Sequence, residues 1–229
     1  AQAEFQARFG LSWQKALDED LACNALEALE RLNISKEELN AKWEILQIGV
    51  DKVKFGGGFY CGHIDNLFVI NGFYMSMREM YTKPGRSVHW FAVEWDSDKL
   101  SWEEFRKDFL GDTDPATAAS SSLRGQMHRN WKKLGLPGPP HVGENAVHAS
   151  ASSFEALVER NNWLSSGISD DPFGRALLDR GVSEETLRRW AHDPVLEYRG
   201  RQVSVFDLFE NLDSRECLDM ASDIDMANL

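Results

Sequence analysis

"VGENAVHASASSFEALVERNNWL", Val142 to Leu164, sets one histidine in a run of small residues and follows it directly with a helix. Ser152 is a good helix cap with Glu155 at the third helical position, so Glu155 and Glu159 share a face one turn apart. The lack of bulk at Ala149 and Ser150 leaves room for something large to approach His148. A lone histidine is more often packed or solvated than nucleophilic, so its role depends on what the rest of the chain brings to it.

Upstream, "SWEEFRKDFLG" carries a Ser101–Glu104 capping box and a helix stop at Gly111. "TDPATAASSSLRG" follows, with Pro115 where a helix is expected to begin, and "LGLPGPPHVGE" then reads as a loop. "SVHWFAVEW" (Ser87–Trp95) is nearly continuous in apolar residues after Pro84-Gly85, the pattern of a central strand buried on both faces. "GGGFYCGHIDNLFVINGFYM" suggests a hairpin turning at Asp65-Asn66. The first third is helical by period through "KALDEDLACNALEALERLN", and a Ser35–Glu38 box opens another helix. After Trp163 short helices capped by Ser183 and Ser204 are expected. The division is a helical region 1–57, a core 58–163 and a helical extension 164–229.

At 229 residues and 42% hydrophobic the chain buries a substantial core. A formal charge of −12 argues against a general nucleic-acid binder, because phosphate-backbone affinity needs a clustered positive surface. Any anionic ligand must be met by a local basic pocket. No apolar run is long enough to span a bilayer. Cys23, Cys61 and Cys217 are widely spaced and odd in number, which fits a reducing compartment. The expected location is the cytoplasm, or an organelle interior after removal of an upstream segment, since the first residue is not methionine.

"LGDTDPATAASSSLRG" followed by "NAVHASASSFEALVER" resembles the nucleoside diphosphate kinase family over about residues 87–164. That family has a Gly-x-Thr-Asn/Asp-Pro turn, an Ile/Leu-Arg-Gly segment, an Asn-x-x-His-Gly-Ser-Asp-Ser stretch and a glutamate on the next helix. The resemblance implies an α/β (α+β) fold with a ferredoxin-like antiparallel sheet and covering helices. It implies transfer of a terminal phosphate between nucleotides through a phosphohistidine on His148, with Mg2+ bridging the nucleotide phosphates. Glu159 then matches the glutamate that holds the second ring nitrogen, and Ser150 the serine beside the histidine. Thr113 and Arg124 match the pair that contacts phosphates, Asn145 the asparagine that contacts ribose and phosphate, and either Arg106 or Lys107 the second phosphate cation.

The chemistry agrees with the resemblance. A neutral imidazole attacks phosphorus near neutral pH, and a carboxylate that accepts from one ring nitrogen leaves the other free. Ala149 and Ala151 replace the family's glycine and aspartate. The family's first strand ends in Lys-Pro-Asp, whose lysine contacts the terminal phosphate; the only Lys-Pro here, Lys83-Pro84, lies just before the apolar run. The rival reading is therefore a catalytically weakened kinase-like subunit of a larger assembly. Expected partners are nucleoside di- and triphosphates, with the chain as a homo-oligomer or a subunit.

Other motifs carry less. "FGGG" lacks the Gly-Lys-Ser/Thr ending of a phosphate-binding P-loop, and Cys61 with His63 lacks further metal ligands, so no protein-held metal is expected. Tyr74 and Arg78 fit a base and a phosphate, but their spacing is more commonly that of core. The extension 164–229 offers apolar positions and no nucleophile–base pair, and it is expected to serve stability or assembly rather than chemistry.

Overall fold

Capping chemistry sets most of the helix boundaries. In the computed structural model, which describes residues 2–56 and 58–227, the chain divides into two units, 1–91 and 92–229. The first begins with α1 (Gln2–Phe9) and α2 (Trp13–Asp18), followed by a short strand β1 (Ala22–Asn24), α3 (Ala25–Leu32) and α4 (Lys36–Glu44). The single helix expected through "KALDEDLACNALEALERLN" is thus interrupted. Asp20 takes a left-handed φ of 54°, and Asn24 caps α3 in a reciprocal box with Glu27. The Ser35–Glu38 box opens α4 as expected.

Strands β2 (Lys52–Gly56), β3 (Phe59–Ile64) and β4 (Leu67–Ile70) run antiparallel, and β3 turns into β4 at Asp65-Asn66 with Asp65 at φ 53°. The sheet order is β1-β4-β3-β2, with β1 parallel to β4. It is a mixed sheet in an α/β unit. Leu67 and Val69 pack with Ala28, Leu39 and Trp43, while Phe68 points the other way onto Phe5 and Ala16. Leu67–Ile70 is the apolar run buried on both faces.

Ser87–Trp95 forms no strand. Trp90 and Phe91 are 58% and 85% exposed, and no strand among the described residues pairs with this segment, whose Trp95 instead stacks on Phe105. Helix α5 (Tyr74–Thr82) also departs from expectation, because Tyr74 and Arg78 are exposed rather than core and border a small cleft beside Leu26 and Met75.

The second unit opens with α6 (Trp102–Glu104), capped by Ser101 and Glu104 and continued by a π-helical turn, Phe105–Leu110. Gly111 ends it at φ 101°, a conformation open to glycine. Pro115 lies in a turn; α7 (Leu123–Asn130) starts later, at the Ser122 cap. Helix α8 (Ser153–Leu164) starts at Ser152 as expected. Beyond it come α9 (Pro172–Asp179), α10 (Glu184–Trp190), β5 (Val195–Tyr198), β6 (Arg201–Ser204), α11 (Val205–Phe209) and α12 (Ser214–Ala227). The region expected to be wholly helical therefore holds a hairpin, β5–β6. It turns at Arg199-Gly200, both at positive φ, as a tight two-residue hairpin requires.

Phe154 and Leu157 on α8 share one buried cluster with Leu177, Leu187, Trp190, Phe209 and Ile224. The helix that carries Glu155 and Glu159 is thereby held by the C-terminal segment. No helix among the described residues is long and apolar enough to cross a membrane.

Candidate active site

The loop before α8 and the first two turns of that helix form a hydrogen-bonded cluster. Ser152 caps α8 by accepting from the Glu155 N–H at 3.1 Å. This start angle aims Glu155 and Glu159 back at the loop. Glu155 accepts from the Ala151 N–H at 2.5 Å. Glu159 places Oε1 2.5 Å from His148 Nε2, and its Oε2 accepts from Ser150 Oγ at 2.5 Å. Trp102 Nε1 donates to the Ser150 carbonyl at 2.8 Å, tying the loop to α6.

Burial pushes the Glu159 carboxyl up, but the bonds from His148 and Ser150 outweigh it and hold it below the ordinary carboxylate range. An ionised carboxylate only accepts, so His148 Nε2 donates. The same bond to Glu159 raises the His148 pKa above the ordinary imidazole value, against the opposing effect of burial. The side chain of His148 is nonetheless 63% exposed, and its Nδ1 makes no hydrogen bond to any described residue. Glu155, a carboxylate that the sequence placed on the right face without a role, is raised chiefly by burial.

His148 lies at the edge of a cleft of about 370 Å³, bordered also by Arg106, Lys107, Thr113, Arg124 and Glu155. Among the expected site residues, Glu159 thus bonds both His148 and Ser150, while Thr113, Arg124, Arg106 and Lys107 border the cleft beside His148. Asn145 does not line the cleft, and its Nδ2 donates to the Thr113 carbonyl at 3.3 Å.

Arg124 differs from the expected open phosphate fork. It is 8% exposed, and its two terminal nitrogens donate to the carbonyls of Gly111 and Val147, each at 2.8 Å. Its Nε has no partner among the described residues. Arg124 therefore fastens the residue before His148 to the turn after the π-helix. Arg106 is held from a direction that local patterns could not reveal. Its Nη1 donates to Glu210 Oε1 at 3.0 Å and to Asn211 Oδ1 at 2.5 Å, more than a hundred residues along the chain.

The extension expected to be inert toward chemistry thus borders the cleft with Glu210 and Asn211. No short-range sequence signal marks them. The thiols offer no alternative nucleophile: all three are buried, and burial pushes Cys61 and Cys217 up to about 12. His148, Glu155 and Glu159 bring three ligand-type atoms within 4.8 Å of one another, but Glu159 already engages His148 and Ser150. Comparison with known proteins yields no matching family model, no matching curated protein and no matching solved structure.

Proposed function

We propose that His148 is a phosphoryl-accepting nucleophile and that the chain performs nucleoside diphosphate kinase-type transfer. The observation that carries this reading is the His148–Glu159 bond at 2.5 Å, which occupies Nε2 and leaves Nδ1 unpartnered beside a cleft containing cations. In the forward step the Nδ1 lone pair forms a bond to the terminal phosphorus of a nucleoside triphosphate. The bond from that phosphorus to the bridging oxygen breaks, and the nucleoside diphosphate leaves. A second diphosphate then takes the phosphoryl group by the reverse displacement.

Glu159 stabilises the positive character that develops on the ring, and Ser150 holds its second oxygen. Mg2+ enters this scheme as part of the nucleotide substrate, bridging phosphates and reducing their charge. Lys107 and Arg106 supply the remaining positive charge near the cleft. The ferredoxin-like arrangement belongs to the resemblance alone: the four-stranded sheet is mixed, with β1 parallel to β4, and its strands all precede residue 71, before the matched residues 87–164. A cytoplasmic or organelle-interior location and a homo-oligomeric state complete the reading.

A second reading has its own support: Arg124 is committed to two backbone carbonyls and Arg106 to Glu210 and Asn211, which suits a weakened kinase-like subunit of a larger assembly. Incubation with Mg2+ and ATP labelled on the terminal phosphate separates the two. Uptake of label that is stable in alkali, lost in acid and abolished by His148→Asn is the outcome expected for the enzyme. An unlabelled wild type assigns the chain to the second reading.

A further inference from the structure

One side of the candidate phosphate cleft comes from outside the region that carries the kinase-like motifs. The turn between α11 and α12 is fastened at several points. Asn211, at a left-handed φ of 64°, donates its N–H to the Ala151 carbonyl at 2.9 Å. Asp213 accepts from the Trp102 N–H at 2.8 Å, and the hydroxyls of Ser153 and Ser214 lie 2.7 Å apart. These links fix the turn against both the histidine loop and the start of α6. They also bring the Glu210 carboxylate to Arg106, where it accepts from Nη1 at 3.0 Å on the side that borders the cleft.

With Arg124 engaged on carbonyls, Arg106 and Lys107 are the two basic side chains of the cleft left to meet an incoming anion. Lys107 has no ion-pair partner among the described residues, whereas Arg106 is paired with Glu210 at 3.0 Å. The Glu210 side chain is 48% exposed and can swing outward while its backbone stays fixed. We propose that Glu210 is an internal competitor for phosphate at Arg106, displaced by a polyphosphate that engages both cations and retained against a singly charged anion. This rests on the reading of the cleft as a phosphate site. It makes Glu210 a selectivity residue for di- and triphosphates, supplied by a segment with no counterpart in the motif.

The test uses the full chain as wild type, Glu210→Gln, Arg106→Ala and the double variant, with inorganic pyrophosphate and ADP with Mg2+ titrated calorimetrically. Glutamine keeps the size and the hydrogen bond while removing the charge. Glu210→Gln should bind both probes about three- to tenfold more tightly, the scale of a partly exposed ion pair plus relief of like-charge repulsion. That gain should vanish in the Arg106→Ala background. Unchanged or weaker binding by Glu210→Gln, or a gain that survives Arg106→Ala, overturns the proposal, and so does a wild type and variant that both fail to bind pyrophosphate. His148 labelling is read in parallel. Tighter pyrophosphate binding without labelling sinks the phosphotransfer reading and leaves the competitor standing, whereas labelling without the gain does the reverse.

Discussion

Arg124 donates to the carbonyl of Val147, one residue before His148, at 2.8 Å, and to the carbonyl of Gly111 at the same distance. A buried guanidinium thus joins the end of the π-helical turn to the loop that carries His148. Arg124→Ala removes both bonds and strands two carbonyls, so it should cost roughly 3 kcal/mol of stability. Arg124→Lys can satisfy one carbonyl but not both in a planar fork, and should fall between the two. Thermal unfolding measures the order; equal melting temperatures for all three would mean that the latch carries no load.

His148 and Glu159 make the chemistry and the stability depend on pH in opposite ways. Because the bond to Glu159 raises the His148 pKa, the neutral imidazole prevails only above the ordinary imidazole range, and on the proposed mechanism the labelling rate should rise with pH through that raised value. Glu159→Gln should move the midpoint down and slow labelling about 10- to 1000-fold. For stability, the raised histidine contributes fully below its unfolded pKa and loses that contribution as pH rises through the folded value. The lowered Glu159 contributes above its unfolded pKa and loses it as pH falls through its folded value. The stability deficit of Glu159→Gln should therefore be widest between the two, and a deficit independent of pH would contradict the pairing.

Gly125→Ala tests how closely the turn before α7 approaches that helix. A Cβ at Gly125 would lie 2.1 Å from the Ala119 carbonyl oxygen, a backbone atom that yields only if the loop 114–121 shifts with it. The methyl should cost about 1–3 kcal/mol by overpacking. It should also shift the neighbouring Arg124 and reduce labelling of His148. A wild-type melting temperature would show that the loop 114–121 can move.

What could be read in the chain was local. Ser35, Ser101, Ser152, Ser183 and Ser204 act over three or four residues, and each caps a helix. The same is true of the Asp65-Asn66 turn and of the His148–Glu159 spacing, which a single loop and two helical turns span. Ser87–Trp95 failed because apolar content specifies burial only where a partner exists, and composition cannot say whether one does. The β5–β6 hairpin had a signal, a short run with β-branched Val195 and aromatic Tyr198 before the Arg199-Gly200 turn, that the surrounding helical pattern obscured. Glu210 and Asn211 had none, since their partner Arg106 is far along the chain and the meeting depends on packing.

The last expectation concerns that packing. Phe209 is fully buried and stacks on Phe154 of α8 with ring centroids 4.8 Å apart, one residue before Glu210. Phe209→Ala should remove about 3–5 kcal/mol through the cavity and the lost transfer energy. If α8 is positioned by this core, the damage reaches Glu155 and Glu159 on the same helix, and labelling should fall by more than loss of folded protein explains. A chain ending at Ser165 removes the whole partner surface of Phe154 and Leu157 together with Glu210 and Asn211, and it should fail to fold cooperatively. Labelling per folded molecule at the wild-type rate in Phe209→Ala, combined with a stable chain ending at Ser165, would separate the C-terminal segment from the site and return it to a purely structural role.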